Sequence, residues 1–316
     1  MTPKHALVTG GAGFIGSHVT DALLAAGWSV TVLDNLSSGK QDQVPAGARF
    51  VWADIRSEEA AELIRDGNFD LVCHLAAQID VRKSVADPGF DVDVNIRGTL
   101  NLVEAIRQSG RATRFVFAST GGAVYGDFVE PPNVETYPKD PESPYGIAKF
   151  STELYLSYYA RIHGLDYIAL RFANVFGPRQ DPHGEAGVVA IFCQRIIDGT
   201  DLKVFGDGKQ TRDYVYVGDV AQAHVLAAAL PTIPAGRVDD RAFNIGTGRE
   251  TSVVELAESL MRASGKKVGL EHAPARPGEQ QRSVVSIAKA ASGLGWTPKV
   301  PLEDGLAQTY SWFASR

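Results

Sequence analysis

The sequence predicts an α/β protein: a doubly wound parallel sheet followed by a smaller α/β lobe that binds the substrate. Two observations carry this expectation. Short apolar, β-branched runs alternate with helical patterns through the first half of the chain, and a glycine-rich turn separates the first run from the first helix. Runs with near-continuous apolar character belong to strands buried on both faces, the condition of a parallel sheet covered by helices.

The elements follow in order. HALVTG (5–10) reads as a strand, Phe14 to Ala26 as a helix and SVTVLDN (29–35) as a second strand. ARFVWADI (48–55), LVCHLAA (71–77) and RFVFAST (114–120) supply three more, with helical stretches at Ser57–Arg65 and Val92–Arg107. A long helical pattern, Ile147–His163, precedes a sixth strand, YIALRFAN (167–174). Past Phe176 the rhythm changes. GPRQDPHGEAG (177–187) is a polar loop, and the remainder mixes Val188–Ile197, LKVF (202–205), Val220–Leu230, AFNIG (242–246) and Ser252–Ala263. The expected division is 1–176 for the first domain, which also receives part of 214–246, and 177–316 for an interleaved smaller lobe.

The totals narrow the partners. A chain of 316 residues with 44% hydrophobic and 22% charged residues has the composition of a soluble globular protein. A formal net charge of −6 argues against nucleic acid as the main partner. No apolar run reaches the roughly 20 residues that span a bilayer, and MTPKHALVTGG meets a glycine turn too early to be a signal peptide. Cys73 and Cys193 lie in apolar sequence and read as buried, inert thiols, which fits a cytoplasmic location; no metal site is expected.

TGGAGFIG (9–16) joins a strand to a helix and satisfies G-x-G-x-x-G through Gly11, Gly13 and Gly16, or the same grip through Gly10, Gly13 and Gly16. Glycine lets backbone N–H groups approach a pyrophosphate at the positive end of the helix, the Rossmann-type arrangement. Asp34 closes the second strand 18 residues after Gly16, where a ribose-binding acid is expected. A carboxylate there favours NAD over NADP. Asp54 and Ile55, at the end of the third strand, leave two readings: an adenine edge, or a helix N-cap at Asp54.

SPYGIAKF (143–150) puts Tyr145 and Lys149 four apart at a helix start, on one face, with Pro144 in the first turn. A tyrosine holds its proton to about pH 10. A neighbouring ammonium and a cationic nicotinamide both favour the phenolate and move the group toward general-base behaviour.

With TGGAGFIG, HLAAQ (74–78), N-x-x-G-T (95–99), VYG (124–126), YGIAK and LRFANVFGPRQ together, the chain resembles the extended short-chain dehydrogenase/reductases. Within them it is most similar to the UDP-glucose 4-epimerases, and the likeness continues through FGDG, TRDYVYVGDV, FNIGTG and LGWTPKV. The resemblance implies a tightly held NAD and a 4-keto intermediate that turns in the site, with Tyr145 as base. It assigns Gly10, Gly13, Phe14, Ile15 and Gly16 to the pyrophosphate and Asp34 and Asn35 to the adenosine ribose. Asp54 and Ile55 flank adenine, Leu75, Ala76, Ala77 and Gln78 line the cleft, Asn95 supports it, and Phe172 packs near the nicotinamide. For a UDP-sugar it implies Asn174, Arg212 and Arg276 at the diphosphate, Glu279 at the uridine ribose, and a small residue, Ser283, beside the sugar's 2-substituent. It also implies a homodimer joined through a four-helix bundle from Val92–Arg107 and Ile147–Tyr159. Phe150, Leu154 and Tyr158 run along the second of these helices, a spacing that more often marks core than interface.

Relatives place a serine or threonine four residues before the VYG tyrosine, and here that slot is Gly121. Thr120, or a water held by Ser119 or Thr120, is the expected substitute. Rival readings share the fold: a nucleotide-sugar dehydratase, a UDP-glucuronate decarboxylase, or a non-catalytic NAD-sensing protein. A dehydratase carries an Asp-Glu pair where this chain reads Gly121–Gly122–Ala123, and a sensor has no need of Tyr145 and Lys149.

Overall fold

The computed structural model of the chain describes residues 4–183, 187–275 and 280–316. The first half lays down β1 (His5–Thr9), α1 (Phe14–Ala25), β2 (Ser29–Asp34), β3 (Arg49–Trp52), α2 (Glu58–Asp66) and β4 (Leu71–His74). Then come α3 (Val81–Ala86), α4 (Pro88–Val92), α5 (Gly98–Ser109), β5 (Arg114–Thr120), α6 (Pro144–His163) and β6 (Asp166–Phe172). The second half holds β7 (Asn174–Phe176), α7 (Val188–Asp198), β8 (Leu202–Phe205), β9 (Thr211–Arg212), β10 (Tyr214–Tyr216) and α8 (Val217–Ala229). It continues with β11 (Ala242–Ile245), β12 (Thr251–Ser252), α9 (Val253–Ser264), β13 (Leu270–Ala273), β14 (Arg282–Ser283) and α10 (Leu302–Ala314).

Seven strands form one parallel sheet in the order β11-β6-β5-β4-β1-β2-β3. Alternate residues feed opposite faces, as the strand pleat requires. Ala6, Val8, Leu71, Cys73 and Val116 pack with Val19 and Leu23 of α1 and Val220 and Ala223 of α8. Leu7, Val72, Phe115 and Phe117 pack with Ile64 of α2, Leu102 and Ile106 of α5 and Leu156 of α6. The strand order reverses between β1 and β4, and a crevice opens beyond their carboxyl ends at such a reversal. A third apolar cluster, with Phe192, Leu256, Leu260, Leu306 and Phe313, joins α7, α9 and α10 outside that sheet. β11 returns from this later half to lie beside β6.

Several boundaries differ from the sequence reading. β3 ends at Trp52 and β4 at His74, so Asp54, Ile55 and Leu75–Gln78 stand in the turns beyond strand ends. The sixth strand breaks at Ala173, whose N–H reaches Ile245, and Asn174 starts a separate strand paired with β10. Val92–Arg107 is interrupted by a wide π-type turn at Asp93–Arg97. The run Phe150, Leu154, Tyr158 also divides. Phe150 packs against Val124, Tyr125 and Val285, whereas Leu154 and Tyr158 are exposed.

α6 starts where the sequence says it should. The Ser143 hydroxyl accepts from the Gly146 N–H at 3.1 Å, Pro144 occupies the first turn, and Gly164 closes the helix in a left-handed conformation. Among the described residues no helix is long and apolar enough to cross a membrane.

Candidate active site

The glycine turn is shaped by what it must avoid. Gly10 turns with φ +70°, and a Cβ there would stand 2.6 Å from the Ala76 nitrogen. A Cβ on Gly16 would stand 2.1 Å from the Gly10 carbonyl oxygen. Gly10, Gly13 and Gly16 are therefore the working frame, and Gly11 instead packs against Val32. α1 begins at Phe14 with Gly13 as its cap, and no side chain satisfies the first-turn N–H groups. Phe14, Ile15 and Gly16 thus present an uncapped, positive helix end to the crevice, which suits a pyrophosphate.

Asp34, buried at the end of β2, faces that turn. Its carboxylate accepts from the Ala12 N–H at 3.0 Å and the Leu36 N–H at 2.8 Å. Burial raises its pKa, and these hydrogen bonds oppose the rise. Asn35 donates to Asp54 at 2.9 Å. Asp54 also accepts two bonds from the Arg56 guanidinium, which holds its carboxyl down at about 2. The N-cap alternative for Asp54 is overturned: Ser57 caps α2, accepting from the Ala60 N–H. Ile55 is buried, and its side chain lies where a Cβ on Gly98 would collide.

On the other side of the switch point, a polar line runs through the interior. His74 bridges the Thr9 and Thr99 hydroxyls at 2.7 and 2.9 Å, and burial lowers it to about 3, so the ring is neutral. Leu75 and Ala76 donate backbone N–H groups to Thr9, at its carbonyl and hydroxyl respectively. Ala77 follows, and Gln78 is clamped at both backbone groups by the Asn95 amide, each at 2.9 Å. Asn95 therefore supports the cleft through Gln78. Both residues also donate to Asp91 Oδ1, while Asp91 Oδ2 is buried without a partner among the described residues.

Tyr145 and Lys149 occupy the first two turns of α6. Lys149 Nζ donates to the Ala118 carbonyl at 2.9 Å and stands 4.8 Å from the Phe117 ring centroid and 5.9 Å from that of Tyr145. Burial lowers Lys149 to about 8, and the carboxylates of Asp91 and Glu153 oppose that shift. Burial, then Asp91, pushes the Tyr145 phenol upward. The chain's own groups therefore keep the proton on Tyr145. The expected pull toward the phenolate joins this ammonium to a cationic nicotinamide, and the chain's own groups alone do not supply it.

The two hydroxyls at the end of β5 differ in direction. Ser119 Oγ donates to Glu153 at 2.5 Å, inside a buried cluster in which Arg171 reaches Glu153 at 2.6 Å and Asp239 at 2.9 Å. That hydroxyl is already engaged. A Cβ on Gly121 would stand 2.8 Å from Val285 Cγ1, so the slot counted back from Tyr125 faces packing, and a side chain does not fit there. Thr120, paired in register with Phe172, points the other way. Its Oγ1, Asn174 Oδ1 and Ser283 Oγ each lie 3.9 Å from the point where a Gly122 Cβ would stand.

The later half of the chain closes this side. β14 pairs with β9 and sets Ser283 opposite Arg212. Arg212 Nη1 donates to the Thr211 carbonyl at 2.7 Å. Asp213, fully buried, accepts from the Thr247 N–H at 2.7 Å, the Thr247 hydroxyl at 2.6 Å and the Gly248 N–H at 3.0 Å, while its own carbonyl receives the Asn174 N–H at 2.8 Å. Phe172 is buried against the His224 ring, with centroids 5.7 Å apart. Arg276 and Glu279 lie outside the described residues.

Sequence reasoning passed over three contributors: Asp91, Asp213 and Glu153. Glu153 stands one helical turn after Lys149, a spacing that could have signalled it. Asp213 lay inside a quoted motif, TRDY, in which the arginine alone was given a role. Among the described residues, no cluster of His, Cys, Asp and Glu could hold a metal ion.

The profile of a family described as the NAD dependent epimerase/dehydratase family matches residues 6–246. A UDP-glucose 4-epimerase of Mycolicibacterium smegmatis is 44% identical over 315 residues, covering 98% of each chain. Among solved structures, the Thermotoga maritima UDP-glucose 4-epimerase with UDP-glucose is 47% identical, with a TM-score of 0.93 over 98% of this chain and 99% of that one. The Thermus thermophilus UDP-glucose 4-epimerase in complex with NAD is 45% identical, with a TM-score of 0.90 over 98% of each chain.

Proposed function

Because the chain belongs to the NAD-dependent epimerase/dehydratase family, we propose that it inverts C4 of a UDP-hexose while holding NAD throughout. The observation that carries this reading is the placement of Tyr145 and Lys149 on α6, with Lys149 fastened to Ala118 of β5, beside Thr120 and Phe172, which pair at the ends of β5 and β6. UDP-glucose and UDP-galactose are the proposed pair, with their N-acetylated counterparts as further substrates.

When bound, NAD supplies a reversible hydride acceptor and a positively charged ring. The α1 N-terminus, through Phe14, Ile15 and Gly16, would hold its pyrophosphate, Asp34 its ribose, and Asp54 with Ile55 its adenine edge. Leu75 to Gln78 line the cleft, with Gln78 held at both backbone groups by Asn95. Tyr145 takes the proton of the sugar 4-hydroxyl as C4 is oxidised and gives it back to the same oxygen when C4 is reduced on its opposite face. The burial that holds this proton on in the bare chain makes the phenol responsive to a cationic ring placed beside it. Thr120 donates to the sugar's 4-oxygen and steadies its developing charge. Asn174 and Arg212, with Arg276, bind the diphosphate, and Glu279 the uridine ribose. Charge-assisted bonds from guanidinium groups explain how a chain of net charge −6 takes an anionic substrate.

A dehydratase of this fold needs a carboxylate beside the strand end that carries Thr120. Gly121, Gly122 and Ala123 occupy that stretch, so the epimerase reading is preferred. We further propose that residues 177–316, apart from α8 and β11, which pack with the first domain, act as the sugar-nucleotide lobe, and that two chains pair through α6 and the helix before β5.

The test is incubation of the purified protein with UDP-galactose and, separately, UDP-glucuronate, with products identified by NMR. UDP-glucose formed without added NAD is the expected result. Conversion of UDP-glucuronate to a pentose nucleotide, with UDP-galactose untouched, would move the assignment to a decarboxylase.

A further inference from the structure

Among the described residues, three that are not glycine hold a left-handed backbone: Leu36, Asn68 and Arg179, with φ +56°, +49° and +69°. Asparagine tolerates that region, whereas leucine and arginine enter it only where their surroundings over-determine the backbone. Leu36 stands at the root of the β2–β3 loop, directly after Asp34 and Asn35, and its N–H is held by Asp34 at 2.8 Å. Arg179 stands in the segment that leaves β7, inside the quoted motif NVFGPRQ, which gave it no role.

The two segments meet across α1. The β2–β3 loop leans on the glycine turn, where the Lys40 N–H reaches the Ala12 carbonyl at 2.9 Å. Further along, Gln43 Nε2 donates to the Arg179 carbonyl at 3.4 Å. On the helix side, His18 Nε2 donates to the Pro178 carbonyl at 2.9 Å, and Arg179 Nη2 stands 2.7 Å from Asp21 Oδ2. His18 and Asp21 lie in the first two turns of α1, and the His18 ring meets Phe14 edge-on with centroids 6.1 Å apart. Residues 177–180 thus form a strap over the helix and the loop. Arg179 fastens it at two points, its carbonyl to the loop and its guanidinium to the helix. The fold bears a cost to keep the guanidinium there, since Nη1 is buried without a partner among the described residues.

We propose that Arg179 is a positioning residue for the cofactor: by strapping the β2–β3 loop to α1, it slows the escape of NAD. A dinucleotide with its pyrophosphate at the α1 N-terminus and its ribose at Asp34 lies along the root of that loop. Release then requires the loop to lift from the glycine turn, and the strap opposes the lift. The inference rests on the NAD reading of the glycine cradle and adds the device that retains the cofactor. A reaction that returns its hydride to the same substrate needs no cofactor exchange, so slow release takes nothing from turnover.

The experiment follows exchange of the bound NAD for isotopically labelled NAD in excess, by mass spectrometry of the cofactor recovered from the protein. Arg179→Ala and Asp21→Ala should each exchange about three- to tenfold faster than wild type, the worth of a partly exposed charge-assisted pair. Combining Arg179→Asp with Asp21→Arg rebuilds the pair with its sign reversed, and aspartate tolerates the left-handed backbone. That double variant should recover most of the slow exchange. Arg179→Gly separates strain from fastening, because glycine is at ease at this φ. It should melt at or above Arg179→Ala and still exchange as fast. Arg262→Ala, which breaks the exposed pair between Arg262 of α9 and Glu303 of α10, should exchange at the wild-type rate. Wild-type exchange in either single alanine variant of the Arg179–Asp21 pair overturns the proposal. So does an acceleration that Arg262→Ala shares or that the charge swap leaves uncorrected. A wild type that neither carries NAD nor binds added NAD would instead sink the cofactor reading itself.

Discussion

The ammonium of Lys149 stands 5.9 Å from the ring centroid of Tyr145 and is fastened at 2.9 Å to the carbonyl of Ala118. One helical turn separates the two residues on α6, and the anchor lies on β5. The pair is thus fixed by the seam between helix and sheet, and Lys149, only 4% exposed, has no freedom to seek solvent. Its position beneath the tyrosine follows from packing before any ligand arrives.

Tyr145→Phe isolates the proton-transfer group. The phenol oxygen has no hydrogen bond to a described residue, so its removal should leave melting temperature and UDP affinity unchanged. Epimerisation should fall by about 10²–10⁴-fold, the range that general acid–base groups supply. A variant retaining the wild-type rate in a coupled UDP-galactose assay would remove Tyr145 from the chemistry.

The charge of Lys149 has a definite pH window. Its folded pKa, about 8, lies below its ordinary 10.5. The unfolded chain binds the extra proton between those values, so the cost of burying this ammonium is full below about 8 and fades as pH rises toward 10.5. Asp91 holds the proton on. Asp91→Asn should therefore move the Lys149 titration further down and shift the alkaline limb of the activity profile to lower pH. A profile superimposable on wild type would show that Asp91 is silent.

The two hydroxyls that end β5 should separate cleanly. Thr120→Val is expected to lower the rate about tenfold or more, the value of one hydrogen bond to a developing charge, with Thr120→Ser restoring most of it. Ser119→Ala should act on stability instead, because its hydroxyl serves the buried Glu153 at 2.5 Å. The expected loss is about 1–3 kcal/mol in denaturant unfolding. The reverse pattern would exchange the two assignments.

How far the sequence reached can be seen at these same places. Gly10, Gly13 and Gly16 were legible because a backbone collision leaves glycine no alternative, and Tyr145 and Lys149 because four-residue spacing on a helix fixes a shared face. Asp54 was ambiguous. Its partner Arg56 lies two residues away, and only the turn geometry decides between an ion pair and a cap. Counting back from Tyr125 lands on Gly121, which has no hydroxyl, and could only offer Thr120 or a water instead, since the side-chain direction after a strand end depends on what packs there, here Val285. Asp213 and Val285 come from distant segments, and no local pattern foretells that they meet the loop at 246–248.

The outer stripe of α6 carries the last prediction. Leu154, Tyr158 and Ile162 recur at four-residue spacing and are 47%, 46% and 63% exposed, while Ile147 on the same helix is 51% exposed. Large apolar side chains aligned on one helix face and left to water mark a contact surface rather than scattered surface residues. Pairing of two chains along α6 is the assembly proposed above. Leu154→Glu combined with Ile162→Glu places like charges on both sides of a symmetric contact, which penalises association twice over. Sedimentation of the wild type should give a dimer and of the double variant a monomer that keeps its fold by circular dichroism. A wild type that sediments as a monomer at assay concentration ends the dimer proposal, and a double variant that remains dimeric moves the interface to another face.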